Sequence, residues 1–316
     1  MRPSPPRARI AIAYLQVLLA GILWATSGPL SVALFRMDVP PTSVAILRPG
    51  AGVIFLLLFM IFLRRGKGWT GTGEGGMGAL VGMLVLGGVI VGVFQLAYQM
   101  ATEAVGVPAT VALLYLAPAL VIGASTILFR ERVTLGKGAL AIVSIVGVWL
   151  TVFGTRGVDL ALTPRGILWG CLCGISYASY TLFGKWYGKR HGPLLPLFWS
   201  TLGGTLLLMA VWGVRGQEVI LPQTLQGWLV VVLLGFFTIV AAALLLFNAM
   251  RTLEAGRASI GTTIEPLAAA LLAWLFLEQT LTPPGILGLA LLVVGVAGAY
   301  ALRTPRRMKE STSPSR

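Results

Sequence analysis

Long apolar runs, separated by short polar connectors, follow one another along the whole chain. Each run is long enough for a membrane helix, because about 20 residues at a rise of about 1.5 Å span the roughly 30 Å core of a bilayer. The connectors are rich in Gly, Pro and charged residues, which is typical of hairpins in a helical bundle. The pattern predicts an all-α polytopic membrane protein with ten transmembrane helices. Their predicted ranges are 10–35, 42–63, 77–99, 104–129, 136–154, 164–184, 193–213, 225–249, 257–277 and 283–302.

Basic residues are distributed unequally between the two sides that ten spans define. Each connector on the side of the N-terminus holds at least two of them, whereas the other side holds Arg36, Arg156, Arg165 and Arg215. Because Lys and Arg accumulate in cytoplasmic loops, both termini are predicted to be cytoplasmic, in a multi-pass protein of the cell membrane. The net charge of +14 is explained by this topology, and no nucleic-acid partner is expected.

The composition agrees with a membrane protein and excludes a large soluble domain. The chain is 57% hydrophobic and 11% charged, whereas about a quarter of the residues of a soluble domain are charged. The first apolar run is too long for the core of a signal peptide, so we interpret it as an uncleaved first helix. Cys171 and Cys173 are two residues apart on a helix and point to different faces, so neither a shared metal nor a disulfide is expected. No cofactor is predicted.

Short patterns in the first half of the chain recur in the second half at a nearly constant offset. Residues 113–118 align with 261–266, and 21–25 (Gly-Ile-x-Trp-Ala) align with 174–178 (Gly-Ile-x-Tyr-Ala). Such recurrences indicate a duplicated unit. The unit contains five spans, an odd number, so the second copy enters the membrane from the opposite side and forms an inverted repeat. The predicted organisation is a first repeat at 1–155, a second at 160–303 and a disordered basic cytoplasmic tail at 304–316.

The ninth predicted helix carries an acid and a proline near its middle, Glu265 and Pro266. A carboxyl group is costly in lipid and is expected to face protein or a watery cavity. Pro266 cannot donate to the carbonyl of Thr262, so the helix is predicted to kink there and to leave a free acceptor. Pro118 has the same place in the first repeat and predicts a matching kink. A carboxyl beside a broken helix in mid-membrane is typical of transporter sites.

A set of motifs occurs at fixed places in the predicted helices. It comprises Leu23-Trp24-Ala25 in the first, Arg48 early in the second, Pro118 and Pro266 in the middle of the fourth and ninth, Glu131 and Glu278 near the ends of those two, and glycine-rich helices after each acid. Together these motifs resemble the drug/metabolite transporter superfamily, specifically its EamA-like ten-helix transporters. Pro49-Gly50, directly after Arg48, departs from that pattern. The resemblance implies an inverted two-by-five bundle in which the first four helices of each repeat line a central cavity. It also implies transport of amino acids, other metabolites or drug-like compounds, often outward.

Glu265 and Arg48 are the charged candidates for the cavity. Burial favours the protonated form of a carboxyl, so Glu265 is expected to exchange a proton or to pair with a cationic substrate. The alternative is a structural hydrogen bond to the backbone that Pro266 frees. Arg48 is expected either to bind a substrate carboxylate or to extend to the outer interface. The second interpretation is slightly favoured, because Pro49 would then begin the helix proper.

The remaining cavity candidates are polar or aromatic. They are Trp24, Gln95, Tyr98, Tyr115, Tyr177, Tyr180 and Asn248. Amides in a membrane helix should face the interior, where they bond either a ligand or another helix. Trp24 and Tyr177 have equivalent repeat positions, which favours a shared role between the repeats. For each aromatic residue the alternative is packing or a place at the membrane interface.

These features predict a secondary active transporter that binds a small-molecule substrate and works by alternating access. The sequence has no glycine-rich nucleotide-binding loop ending in Lys-Ser/Thr, so an ion gradient is expected to drive transport, with proton coupling through Glu265 as the specific hypothesis. The predicted activity is export of small metabolites such as amino acids or amphipathic compounds. A multidrug or cation exporter, and a uniporter or exchanger, are the alternatives.

Two other classes of membrane protein fit the sequence poorly. A membrane-embedded enzyme needs paired carboxylates, a histidine cluster or metal ligands at the membrane face, and the chain has a single histidine. A channel is usually lined by a ring of like charges, and no such ring is evident. The glycines of the fifth and tenth spans permit close helix approach, so a monomer or a weak homodimer is expected.

Overall fold

The computed structural model describes residues 7–64, 76–131, 134–154, 163–269 and 282–301. Every regular element in these ranges is helical. The helices are α1 (Arg7–Trp24), α2 (Ser27–Phe35), α3 (Pro41–Arg64), α4 (Gly76–Leu114), α5 (Ala117–Phe129), α6 (Leu135–Phe153), α7 (Pro164–His191), α8 (Leu194–Val214), α9 (Leu225–Leu233), α10 (Ala242–Ala249), α11 (Ala255–Gly261), α12 (264–269) and α13 (Pro283–Ala301). A π-helical segment, Leu234–Ala241, joins α9 to α10.

The helices follow the predicted spans closely. Within the described ranges, eight helical stretches are long and apolar enough to cross a membrane, and they correspond to the first eight predicted spans. At the tenth, α13 is a shorter apolar helix. The ninth begins as α11 and α12, and its remainder, with Glu278, lies outside the described residues, as does the predicted tail at 304–316. The predicted fold class, an all-α polytopic protein built from two inverted five-helix repeats, is confirmed.

The boundary between the third and fourth spans differs from the prediction. The predicted connector at 100–103 is wrong, because α4 continues through it and ends at Leu114. Only Gly106 leaves helical geometry inside α4, with φ 78° and ψ 165°. Glycine has no Cβ and adopts positive φ without strain, so the chain turns there rather than at the polar residues before it.

Three predicted spans break shortly before a proline. The breaks lie at 25–26, 115–116 and 262–263, ahead of Pro29, Pro118 and Pro266. A proline has no N–H for the carbonyl four residues earlier, and its ring crowds that carbonyl, so the helix cannot continue unchanged. The break before Pro29 divides the single helix predicted at 10–35 into α1 and α2. The breaks before Pro118 and Pro266 occupy matching places in the two repeats.

Helices of each half pack mainly on helices of the other half. α1 lies against α10, the π segment and α11, while its counterpart α7 lies against α4 and α5. α3 packs on α8, and α6 packs on α13. This crosswise arrangement is what pseudo-two-fold symmetry between inverted repeats produces. It brings the helix breaks of both halves to the centre of the bundle.

The glycines of the fifth and tenth spans lie at the contact between α6 and α13 of the same chain. A Cβ added to Gly147 in α6 would lie 2.9 Å from the carbonyl oxygen of Gly288 in α13. One added to Gly295 would collide with the side chain of Ser144. The two backbones therefore approach each other as closely as small residues allow.

Candidate functional site

A small cavity lies between the two halves, beside the helix breaks. Its volume is about 30 Å³, which is room for one or two water molecules. Seven of the predicted cavity residues line it, namely Trp24, Arg48, Gln95, Tyr98, Tyr177, Tyr180 and Glu265. Tyr115 is not part of the lining, but its hydroxyl contacts Glu265. Asn248 is not part of the lining.

Arg48 is buried, with 3% of its surface exposed, and does not extend to the outer interface. The interpretation favoured from the sequence is wrong because α3 begins at Pro41 and continues through Pro49, which places Arg48 about two turns inside the helix. Its Nε donates to Oγ1 of Thr238 over 2.9 Å. Its guanidinium lies 5.4 Å from the ring centroid of Tyr98, within cation–π range. Nη1 has no hydrogen-bond partner among the described residues, so a buried cationic donor faces the cavity wall.

Glu265 lies on α12 and is 6% exposed. Its Oε2 is 2.7 Å from Oη of Tyr115, and that hydroxyl is also 2.7 Å from the carbonyl oxygen of Thr262. The Thr262 carbonyl is the acceptor from which Pro266 removes the usual helical donor. The Tyr115 hydroxyl has one proton to donate to the Thr262 carbonyl and to Glu265, whereas a protonated Glu265 could itself donate to Tyr115 and leave that proton to the carbonyl. An ionised Glu265 would compete with the carbonyl for that single proton.

The two opposite charges of the cavity do not pair with each other. Arg48, in the first half, is held by Thr238 of the second half. Glu265, in the second half, is held by Tyr115 of the first half. Each buried charge is therefore positioned by a neutral group across the boundary between the halves, and neither is neutralised by an ion pair within the described part of the chain.

A glycine in each half allows a close contact with a broken helix of the other half. A Cβ on Gly21 in α1 would lie 3.2 Å from the carbonyl oxygen of Thr262. A Cβ on Gly174 in α7 would lie 2.9 Å from the carbonyl oxygen of Leu113. The contact at Gly174 is too short for a side chain without movement of the backbone, and the contact at Gly21 would require the facing carbonyl to move by a few tenths of an ångström. The duplicated glycine of the sequence pattern thus marks the place where the first helix of each repeat crosses the break of the opposite repeat.

Trp24 and Tyr177, three residues after these glycines, meet at the cavity. Their rings are edge to face, with centroids 5.7 Å apart and planes at 79°. The indole N–H of Trp24 donates to the carbonyl oxygen of Thr238 over 2.8 Å. Where the π segment ends, the N–H of Ala242 donates to the carbonyl of Phe237, five residues earlier. When the next residue returns to α-helical bonding, four residues back, no backbone N–H is left for the carbonyl of Thr238. The π segment therefore supplies the acceptor that Trp24 uses.

Thr238 and Phe94 are site residues that the sequence analysis missed. Thr238 accepts from Arg48 and donates its own hydroxyl proton to Leu234 O over 2.6 Å. The ring of Phe94 is nearly parallel to that of Tyr180, at 6.4 Å and 6°. Thr238 is a lone hydroxyl in an apolar span, and Phe94 lies four residues before Tyr98 on the same helix face. These positions are the signals by which the sequence allows both to be found.

The amide side chains separate into two places. Gln95 lines the cavity, and its Oε1 has no hydrogen-bond partner among the described residues. Asn248 instead donates from Nδ2 to Oε1 of Gln16 over 3.2 Å, which joins α10 to α1. Of the two roles expected for an amide in a membrane helix, Asn248 has the second, which is hydrogen bonding between helices.

No metal centre is formed by the residues that the structure describes. In these ranges no group of three or more His, Cys, Asp or Glu side chains lies close enough to hold a metal ion. Cys171 and Cys173 are both free thiols, and Cys173 is buried.

Inverted repeats, broken helices and a small cavity at their boundary, lined by buried charged and aromatic side chains, are typical of a membrane transport protein. The chain belongs to the EamA-like transporter family, whose sequence profile matches residues 11–153 and 164–301. The resemblance stated from the sequence motifs is thereby confirmed. The protein is a multi-pass membrane transporter of the drug/metabolite transporter superfamily.

Individual relatives agree with this assignment. The chain is 30% identical over 208 residues to an uncharacterized transporter of Archaeoglobus fulgidus, covering 64% of this chain and 70% of the relative. It is 24% identical over 297 residues to the uncharacterized transporter YwfM of Bacillus subtilis, covering 93% and 94%. A protein of known crystal structure matches with a TM-score of 0.72 at 20% identity, over 94% of this chain and 99% of that one. This last likeness shows the fold alone.

Proposed function

We propose that the protein is a secondary active transporter that exports small zwitterionic metabolites, such as amino acids, in exchange for protons. The observation that supports this proposal is the pair of buried opposite charges, Arg48 and Glu265, which line one cavity without contacting each other. A substrate that carries both a carboxylate and an ammonium group would pair with both. Outward transport is the direction that the resemblance to EamA-like transporters implies.

Arg48 would bind the carboxylate of the substrate. A guanidinium presents two parallel donors to a carboxylate, and its unused Nη1 is available for this contact. Thr238 and Tyr98 hold Nε and one face of the guanidinium before a substrate arrives. Such positioning lowers the entropic cost of binding.

Glu265 would bind either the ammonium group or a proton. When protonated it donates to Tyr115, and when ionised it offers its charge to a cation. Arg48 and Tyr177 line the same cavity as this carboxyl, from α3 and α7. One carboxylate charge neutralises one cation at a time, so the ammonium group and the proton compete. Competition for a shared site is the physical basis of exchange.

Alternating access would require the cavity to expand. At about 30 Å³ it is far smaller than the roughly 300 Å³ of an ordinary ligand pocket, so we interpret this conformation as closed to both sides. The repeats 1–155 and 160–303 would then rock against each other, which separates Tyr115 from Glu265 and Arg48 from Thr238. The proposed topology places both termini and the basic tail at 304–316 in the cytoplasm. The proposed working unit is a monomer or a weak homodimer.

The second candidate function is export of amphipathic cations, including drug-like compounds. The observation that favours it is the aromatic wall of the cavity, formed by Trp24, Phe94, Tyr98, Tyr177 and Tyr180. Aromatic faces attract cations and apolar groups. Under this function Glu265 alone would bind the charge of the substrate, and Arg48 would contribute nothing to affinity.

Binding of three matched compounds distinguishes these functions. Phenylalanine, 3-phenylpropanoate and 2-phenylethylamine share one skeleton and differ only in their charged groups. A ligand that binds the folded state raises the thermal midpoint of the purified protein by mass action. We expect the zwitterion to raise it most. The largest rise with the amine would favour the cation exporter, and no rise with any of these compounds or with a wider set of amino acids would contradict the substrate class.

Proton exchange is tested with Glu265→Gln in proteoliposomes. We expect transport by the wild-type protein to follow an imposed pH gradient and transport by the variant to be independent of it. Glutamine retains an N–H that donates to Tyr115, so the variant should fold and keep its thermal midpoint. If the variant responds to the gradient as the wild type does, Glu265 is not the proton site.

A further inference from the structure

Five charged side chains at one end of the bundle form a buried network. The N-terminal face is the end of the bundle at which α1 begins, and the charge cluster consists of Glu131, Lys137, Lys185, Glu254 and Arg257. The side chains of Lys137, Lys185 and Arg257 are only 5%, 8% and 6% exposed. The sequence pattern assigns these basic residues to solvated connectors that orient the chain. In the structure they are core residues instead.

The contacts of the charge cluster cross between the two halves. Lys137 Nζ is 2.6 Å from Oε2 of Glu254, and Lys185 Nζ is 2.9 Å from Oε1 of Glu131. In both pairs one residue precedes the junction between the halves and the other follows it. Arg257 lies 3.2 Å from Glu254 within the second half.

Backbone groups and α1 extend the same network. Lys185 also donates to the carbonyl oxygen of Leu253 over 2.6 Å, and Oε1 of Glu131 accepts from the backbone N–H of Ala255 over 3.1 Å. Arg257 donates from Nη1 to the hydroxyl of Tyr14 in α1 over 3.2 Å. The network therefore joins the end of α5, the start of α6, the last turns of α7, α1 and the connector from α10 to α11.

The opposite end of the bundle is closed by different chemistry. There Leu34, Val39 and Val44 of the first half pack on Val230, Val231 and Leu234 of the second half. The backbone N–H of Ile220 donates to Oγ of Ser43 over 2.9 Å. No ion pair joins the two halves at this end within the described ranges, so closure there depends on apolar burial.

Charged contacts have a property that apolar contacts lack. An ion pair that separates into water exchanges its partner for hydration, so it can open and re-form at a modest cost in free energy. An apolar seam loses its burial outright when it opens. A polar seam is therefore suited to repeated opening toward water, and the charge cluster is the polar seam between the halves at the N-terminal face.

We propose that the charge cluster is the gate of the transporter at the N-terminal face, closed in this structure, and that separation of its two cross-half ion pairs opens the cavity to that face. The proposal rests on the alternating-access function proposed above. It does not depend on the identity of the substrate or on the proton site. Glu131 and Lys185 are the positioning residues whose pairing sets the closed state.

Sided labelling of a cavity thiol tests the gate. The two native cysteines are removed by Cys171→Ser and Cys173→Ala, and Ser27→Cys, which lines the cavity, becomes the single reporter. A membrane-impermeant maleimide is applied from one face of vesicles of known orientation. The test variant is Glu131→Gln/Lys185→Gln, which removes both charges together, keeps the seam polar and leaves no unpaired ion. Lys189→Gln, at an exposed lysine one turn further along α7, is the matched control.

In the double variant we expect labelling from the N-terminal face to be faster by about tenfold, which corresponds to a shift of about 1.4 kcal/mol toward the open state. Labelling from the opposite face should not rise, and Lys189→Gln should label as slowly as the parent. Unchanged labelling in a folded double variant, or an equal rise from both faces, would overturn the gate. A failure of substrate binding or proton exchange would leave this readout unaffected.

Discussion

The protein holds two groups of buried charges, and the two are built differently. In the charge cluster at the N-terminal face, Lys185 and Glu131 lie 2.9 Å apart and satisfy each other. In the central cavity Arg48 and Glu265 do not pair, and neutral side chains hold each of them. Both groups of charges lie between the two halves, so a location at this boundary does not by itself explain why one group is paired and the other is not.

The difference indicates which charges serve structure and which serve a ligand. A buried ion pair satisfies its charges within the protein, and removal of one partner leaves the other charge buried and costly. A buried charge without a counter-ion remains available for an opposite charge that arrives from outside. The charge cluster should therefore stabilise one conformation, whereas the cavity charges should respond to what binds.

The largest effect on stability is expected for Lys185→Ala. The change leaves Glu131 buried without its cation, and breaking a buried pair in this way costs about 3–5 kcal/mol in the free energy of unfolding. Lys189→Ala on the same helix removes an exposed lysine and should change it by less than about 0.5 kcal/mol. Unfolding of the purified protein in detergent measures both. If both variants lost equally little free energy of unfolding, Lys185 would behave like an exposed surface lysine and the charge cluster would not be a stabilising buried network.

A smaller loss is expected for Tyr115→Phe. The ring is retained, and the carbonyl of Thr262 still accepts from the backbone N–H of Glu265, but the Glu265 carboxyl loses its Tyr115 partner. Leaving a buried polar group unsatisfied costs about 1–3 kcal/mol. Tyr180→Phe is the matched control, because that ring also lies at the cavity. The same unfolding measurement compares them. If Tyr180→Phe lowered the free energy of unfolding as much, the contact between Tyr115 and Glu265 would contribute no more to stability than any other hydroxyl at the cavity.

The smallest effect on stability is expected for Arg48→Gln. Removing an uncompensated buried charge relieves its desolvation, which offsets the lost bond to Thr238, so the free energy of unfolding should stay within about 1 kcal/mol of the wild type. The rise in thermal midpoint that a zwitterionic ligand produces should disappear. Thermal midpoints with and without phenylalanine check both parts. A destabilisation as large as that of Lys185→Ala would show that Arg48 is a structural charge.

Features that act within one helix were accessible from the sequence. The apolar runs define the spans, and Pro118 and Pro266 mark two of the breaks because a proline disrupts its own helix. The freed carbonyl of Thr262 follows from the same rule. The break before Pro29 follows from it as well, but the long apolar run around it conceals the division into α1 and α2.

Features that depend on contacts between the halves were not accessible in the same way. Lys137 and Lys185 pair with acids more than 50 residues away in sequence. In the sequence, each of these lysines looks like an ordinary basic residue at the end of a helix. Arg48 is hydrogen-bonded to Thr238, which lies in a π segment of the other half. An apolar sequence gives no indication of a π segment, because only the hydrogen-bond spacing distinguishes it from an α-helix.

That π segment also sets how many residues separate its two flanks. A π-helical turn holds one residue more than an α-helical turn, so the segment takes up an extra residue while the flanks keep their directions. Deleting one residue between 234 and 241, other than Thr238, would therefore let the helix return to regular geometry with both flanks in place. The bond from Asn248 to Gln16 should survive such a single-codon deletion. The carbonyl of Thr238 would instead accept an ordinary helical N–H, and its bond to the indole of Trp24 should be lost.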